Sequence, residues 1–457
     1  MKLKYFTLTS LLVLGACSHF EKPLVENKMA DNKIAPYFPN LPDAKYIAAS
    51  GVKWREFYKN QNLIFAIDYG LKQNKDLKIA AINTQKAQNT LELAKIARKP
   101  SLRGVASSDL SGKSGDILTD TYTFGASVPS YEIDFFDRLK SLQKASEENF
   151  YSALENQKAI KIAYITTLAN AWVNIASDMT QIEILKSNIA SLQETAKIVK
   201  GRQKYGVAND LDANSVEAQL NELIASLKAT QTKLENDKST LVFLAGGQGV
   251  LEFLPNGLKS DFTIAEVAIG LPSDVLLARP DIMAAEHALS GANANLTAAR
   301  AQKFPSINLT ASFGFASNEL LNLLAGPRFL ITPSISAPIF DNGASDINID
   351  NARLNRDALI HQYEKAINSA FNDVSQALNT RAQIEARIKD QSAAVENYRK
   401  SVFLAKRRFE VGIDNYLPLL LAQRNLNNAQ ATLLNLQTLR ANNLIGLYSA
   451  LSNDDDF

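Results

Sequence analysis

Residues 121–128 read TYTFGASV, in which Tyr122, Phe124, Ala126 and Val128 alternate with Thr121, Thr123, Gly125 and Ser127. Residues 307–315, INLTASFGF, set Ile307, Leu309, Ala311, Phe313 and Phe315 against Asn308, Thr310, Ser312 and Gly314. Residues 328–339, RFLITPSISAPI, put Phe329, Ile331, Ile335 and Ile339 on one side. A weaker stretch, LRGVASSDL at 102–110, is the natural hairpin partner of 121–128. Period-two alternation predicts four strands, apolar on one face and lined by Ser, Thr, Asn and Gly on the other. In a soluble protein the apolar face would be core. In an outer-membrane barrel it would meet lipid while the polar face lines water. Four strands are too few to enclose a channel that admits solute, so a pore would need several chains.

The rest of the chain is helical in pattern. Residues 137–204 contain no Pro and one Gly, Gly201, and residues 344–410 contain neither. Each segment would run about 100 Å as one helix. Such lengths imply a coiled coil or a barrel of helices. Small residues such as Ala366, Ala370, Ala377 and Ala386 would let neighbouring helices approach closely. A solvent-exposed coiled coil fits the same periodicity.

These elements occur twice. NKDLKIAAINTQKAQNTLELAKIARKPSL from Asn74 matches RPDIMAAEHALSGANANLTAARAQKFPSI from Arg279. Phe136-Asp137 matches Phe340-Asp341, and KYGVANDLDANSVEAQL from Lys204 matches EVGIDNYLPLLLAQRNL from Glu410. The last match aligns Gly206 with Gly412 and Leu211 with Leu417. The first match holds two landmarks, Asp76-Leu77 with Asp281-Ile282 and Lys99-Pro100-Ser101 with Phe304-Pro305-Ser306. With the other two they make four in constant order, which define a duplicated domain, not a solenoid of short repeats.

Cys17 is the only cysteine among 457 residues, so no intramolecular disulfide is possible. Lys2, Lys4 and an apolar run to Ala16 precede it, the pattern of an export signal too short to span a membrane. Leu14, Gly15, Ala16 and Cys17 resemble a bacterial lipobox, which implies cleavage before Cys17 and its acylation. Ser18, in place of Asp, fits sorting to the outer membrane. Cleavage would remove two of the 49 basic residues and no acidic one, leaving a balance with the 47 acidic residues. A neutral, mixed surface argues against nucleic acid as a partner. The expected order is signal peptide 1–16, lipid-anchored segment 17–60, first repeat 61–250, linker 251–266, second repeat 267–452 and tail 453–457.

Residues 270–314, GLPSDVLLARPDIMAAEHALSGANANLTAARAQKFPSINLTASFG, resemble the outer-membrane efflux family of TolC-type and OprM-type channels, in its NodT-like lipoprotein branch. SAPIFDNG (336–343), RRFEVGIDNYLPLLLAQRNL (407–426) and the series Trp54, Phe57, Leu63, Asn74, Asp76 and Leu77 extend the resemblance over residues 50–452. It implies a mainly α protein with a small transmembrane β part. In that architecture a homotrimer shares a 12-stranded β-barrel, continued by a long periplasmic α-helical barrel. It further implies an exit duct that meets a periplasmic adaptor and an inner-membrane pump, with a gate at the periplasmic tip. Here the helix breaks fall at 206–212 and 412–418. Gly206 and Gly412 allow the chain to reverse. Asp210, Asp212 and Asp414 are candidate pore carboxylates, with helix N-capping the alternative for all three and above all for Asp212, and Tyr416 belongs to the same tip. Family members often carry an aspartate at the place of Leu421, so Leu417 and Leu421 would form an apolar constriction instead. Pro418 is tolerated in a first helical turn, where no amide donor is needed.

No enzyme motif or cofactor site is expected. His19, His287 and His361 lack partners at metal-ligand spacing and read as exposed, and AGGQG at 245–249 lacks the Lys-Ser/Thr of a phosphate loop. The alternative cargoes are secreted protein or metal ions, and the alternative of another class is a poreless coiled-coil lipoprotein. Cys17→Ser is expected to abolish metabolic labelling with palmitate. Labelling that persists in that variant would refute the anchor.

Overall fold

The computed structural model describes residues 53–113, 116–258, 273–324 and 326–452. Cys17 and its lipobox, His19, residues 270–272 of the family-like stretch and the acidic tail lie outside them. The chain divides into two compact units: residues 94–145 with 291–358, and residues 53–93, 146–258, 273–290 and 359–452.

The first unit holds the strands β1 (Arg103–Lys113), β2 (Asp116–Ile133), β3 (Ser306–Ser317) and β4 (Pro327–Ser336), in one antiparallel sheet ordered β1-β2-β3-β4. Register aligns the apolar sets. Phe124 faces Phe315, Ala126 faces Phe313 and Val128 faces Ala311, while Phe313 faces Phe329 and Ala311 faces Ile331. Gly104 and Ala106 of β1 continue that face opposite Ala126 and Phe124. The opposite face carries Thr123, Ser127, Ser312, Thr332 and Ser334, with Val105 and Leu330 as apolar exceptions.

Strict alternation would send Tyr131 and Ile133 to the polar face. The pairing instead steps from Val128↔Ala311 to Tyr131↔Leu309, leaving one extra residue on β2. This bulge at Pro129 and Ser130 restores Tyr131 and Ile133 to the apolar side. Proline fits there because the bulge needs no ladder donor, and the Thr310 hydroxyl donates to the Pro129 carbonyl at 3.0 Å. The expectation that Ile339 continues the fourth strand is corrected: β4 ends at Ser336, and Ile339 is 99% exposed. Pro338 follows closely and cannot donate to a ladder.

The long helices begin where aspartates cap them. The Asp134 carboxylate accepts from the amides of Leu139 and Lys140 at the start of α4 (Arg138–Lys204), at 2.9 and 2.7 Å. Asp341 accepts from the Ser345 amide at 2.9 Å at the start of α7 (Ala344–Glu410). Preceding α4 are α1 (Trp54–Phe57), α2 (Gln61–Gln73) and α3 (Lys75–Ala97). Between α4 and α7 lie α5 (Asp210–Ala245) and α6 (Pro280–Ala301), and α8 (Tyr416–Leu451) closes the series. The duplication is visible in lengths: α4 and α7 each have 67 residues, α5 and α8 each 36.

In the second unit, α7 buries Tyr363, Ile367, Ala370, Val374, Leu378, Arg381 and Ile384. Their spacing of three and four is a coiled-coil seam. Ala386, expected among the close-packing alanines, is exposed. Helix neighbours are tied by amide side chains: Asn188 donates to Gln430, Gln391 to the Ala429 carbonyl and Asn443 to the Ala377 carbonyl. Trp172 is buried on α4, its indole N–H donating to the Phe253 carbonyl at 2.7 Å. Trp54, Phe57 and Leu63 are buried as well, and Phe57 stacks on Tyr448 at 4.5 Å. His287 is not the exposed histidine expected: it is half-buried, its Nδ1 2.8 Å from a Glu148 carboxylate oxygen. His361 is exposed beside Glu364.

Deleting Ser130 removes the one extra residue of β2 and leaves Tyr131 two positions after Val128, so plain alternation then keeps Tyr131 and Ile133 on the apolar face. The deletion is expected to leave folded protein accumulating in the outer membrane, measured by membrane fractionation and heat-modifiable gel mobility. Loss of the folded form would show that the bulge itself is required.

Candidate functional site

The two breaks between long and short helices are near copies of one turn. In the first, the Gly206 amide donates to the Gln203 carbonyl at 2.9 Å and the Val207 amide to the Arg202 carbonyl at 2.8 Å. In the second, the Gly412 amide donates to the Phe409 carbonyl and the Ile413 amide to the Arg408 carbonyl, both at 3.0 Å. Each pair is a Schellman motif, which needs a left-handed residue just past the helix end. Gly206 has φ of +73° and Gly412 of +81°, where a β-carbon would be strained. The reversals therefore run over residues 205–209 and 411–415, slightly earlier than the spans expected from sequence.

The cap of α5 is Asn209, whose side-chain oxygen accepts from the Asp212 amide at 2.8 Å. This corrects the capping alternative for Asp212, which is the third residue of the helix and a recipient of the cap. Its charge still suits the positive end of the helix dipole. Asn415 holds the same place before α8 without a side-chain bond. Pro418 is the third residue of α8, not the first, and still lies among the four amides that need no intrahelical acceptor.

The candidate carboxylates are engaged within their own turns. Asp210 accepts from the Gln203 amide group at 2.8 Å. Asp414 takes a two-pronged bond from Arg408, at 2.6 and 3.0 Å. The Arg408 bonds hold the Asp414 carboxyl below the usual carboxylate range. Neither acid is a bare charge presented to solvent.

Tyr416 is 1% exposed and belongs to the packing beneath the turns, so it supports the tip and does not line an opening. Its cluster joins Leu185, Ile189, Leu192 and Val199 of α4, Val216 of α5, Phe409 of α7 and Leu419 of α8. Phe409 meets the Tyr416 ring edge-on at 6.0 Å. The Tyr416 hydroxyl has no hydrogen-bond partner among the described residues, and burial, with the Asp212 charge, pushes its pKa up. Leu417 and Leu421, one helical turn apart on α8, are 53% and 51% exposed. Tyr205, Val207, Leu211, Val411 and Ile413 are also exposed. The single chain thus presents apolar side chains at both reversals, while Asp414 is paired with Arg408 and Asp210 is held by Gln203. Among the described residues no helix is long and apolar enough to cross a membrane.

Paired 67-residue helices, a sheet with one apolar and one hydroxyl-lined face, and a duplicated order define a class of protein: a channel with a β part and a helical part. The chain belongs to the outer membrane efflux protein family, whose pattern matches residues 66–247 and 271–453. It is 33% identical over 463 residues to the solvent efflux pump outer membrane protein SrpC of Pseudomonas putida, covering 99% of this chain and 98% of that one. It is 31% identical over 402 residues to the cation efflux system protein CusC of Escherichia coli, 87% of each chain. The structure superimposes on the open state of the Neisseria gonorrhoeae MtrE outer membrane channel with a TM-score of 0.85 and 30% identity, covering 93% and 97% of the two chains. The protein is an outer-membrane efflux channel that extends into the periplasm. The exposed face of Phe124, Phe313, Phe329 and Ile331 is accordingly lipid-facing, and its hydroxyl-rich opposite face lines water.

Nothing in the helical pattern marked Asn209 as the cap over Asp210 or Asp212, since Asn and Asp both cap helices. Arg202 was missed for a different reason. Its partners lie two hundred residues away, beyond any local signal.

Proposed function

We propose that this chain is the exit duct of a tripartite efflux system, three copies sharing one barrel, fed by an inner-membrane pump through a periplasmic adaptor. The observation that carries it is the open sheet. Among the described residues β1 pairs only with β2, and β4 only with β3. A membrane offers no water to the remaining edge groups, so another copy must pair with each edge. Three copies supply twelve strands, enough to surround solute, whereas one supplies a patch.

Cys17 anchors each copy to the inner leaflet of the outer membrane. The cargo is small molecules expelled by the pump. Four methionines in the whole sequence supply no run of soft ligands of the kind a dedicated path for copper-like ions would need. Relatives are named for solvent efflux and for cation efflux, so the cargo reading rests on this chain's own residues. The protein itself passes cargo without chemistry, and the energy comes from the pump.

The gate is the pair of reversals. Leu417 and Leu421 from each copy form an apolar ring that closes the periplasmic end by excluding water. Gly206 and Gly412 let the helices turn there. Asp210, Asp212 and Asp414 contribute charge around the rim, with Asp210 and Asp414 held by their local partners.

Planar-bilayer recording on the purified full chain tests this reading. Wild-type protein is expected to give small discrete conductance steps, and Leu417→Ala with Leu421→Ala larger ones. No steps from either would refute a channel. Equal steps from both would move the constriction away from these leucines.

A further inference from the structure

Arg202 and Arg408 occupy equivalent places, the third residue from the end of a 67-residue helix. Both carbonyls serve the same purpose in their turns. Their side chains do not. Arg408 forks onto Asp414 within its own reversal. The residue matching Asp414 in the first reversal is Ala208, which offers no acceptor. Arg202 is thereby released, and it crosses to the other reversal. Its Nη2 donates to the Glu410 carbonyl at 2.8 Å, and its guanidinium carbon lies 4.4 Å over the Phe409 ring.

Both contacts suit a guanidinium. The Glu410 carbonyl lies in the last turn of α7, among those a helix end leaves without an intrahelical donor, and a cation is favoured there by the helix dipole. Phe409 is buried in the cluster that also holds Val199, Val216 and Tyr416. The arginine therefore closes the exposed side of that cluster with a planar group that stacks and donates at once. A second link between the same helices, Lys406 to Glu194, is longer at 3.4 Å and exposed.

We propose that Arg202 is a positioning residue that couples the two reversals of one chain, and that Ala208 is what frees it for that role. The end of α7 is held to the end of α4, so the two turns shift together. Because Leu417 follows the second turn directly, Arg202 sets where that leucine stands. The consequence for conduction rests on the gate reading above, whereas the coupling itself does not.

The test uses the full chain in lipid nanodiscs and four forms: wild type, Arg202→Ala, Ala208→Asp and the double variant. Hydrogen exchange of amides 411–416 reads the coupling, and bilayer conductance reads the gate. Arg202→Ala is expected to speed that exchange roughly threefold, the order for losing one solvent-accessible charged hydrogen bond. Ala208→Asp gives Arg202 an acceptor in its own turn and is expected to do the same while leaving the arginine in place. The double variant is expected to match the single ones. Wild-type exchange in Arg202→Ala would overturn the coupling, as would Ala208→Asp behaving like wild type or effects that add in the double variant. Faster exchange with unchanged conductance would uphold the coupling and refute the gate reading. An effect of the Leu417 and Leu421 substitutions on conductance, with exchange unmoved by Arg202→Ala, would refute the coupling alone.

Discussion

Unpaired backbone at the edges of a sheet cannot remain open inside a membrane. Each bare N–H and C=O there costs several kcal/mol, because no water replaces the missing bond. The four-stranded sheet of this chain has two such edges, on β1 and β4. Its other features follow from a closed multi-chain wall. The face bearing Phe124, Phe313 and Phe329 can be apolar because lipid covers it, and the face bearing Ser127, Ser312 and Thr332 can be polar because it meets water. The bulge at Pro129 keeps that division intact from Tyr122 to Ile133 of β2.

The same constraint explains the helical half. A duct needs walls of matched length, and the duplicated helices supply them as equal pairs of 67 and 36 residues. The seam of α7 sets Ala370, Val374 and Leu378 beside Tyr363 and Arg381 at spacings of three and four, the period of helix-to-helix packing. Duplication also gives two reversals of one design, each closed by a left-handed glycine. The copies have since diverged at single positions. Ala208 against Asp414 leaves the first turn with an arginine free to reach across, whereas the second holds its own arginine.

Much of this was legible in the sequence because it is periodic or repeated. Alternation marked the β1 to β4 stretches, the absence of Pro with Gly201 as the one glycine marked α4 and α7, and the glycines marked the reversals. Where the sequence misled, a local rule met a competing one. Ile339 keeps the strand alternation, yet Pro338 beside it ends the ladder. Asp212 is a good capping residue, but Asn209 three positions earlier takes the cap. Tyr416 looked like a tip residue and is core, because Phe409 and the α4 leucines close over it. The bulge in β2 is invisible to periodicity, since an inserted residue reads as noise until a partner strand sets the register. Arg202 carries no signal at all until the fold brings Glu410 to it.

The central claim is that the duct serves small-molecule efflux. Its most direct test is accumulation of a fluorescent efflux dye in cells lacking this gene, with and without re-expression. Higher accumulation in the deletion, reversed by re-expression, is the predicted result. Accumulation unchanged by the deletion, in cells with no second exit duct for that dye, would contradict it.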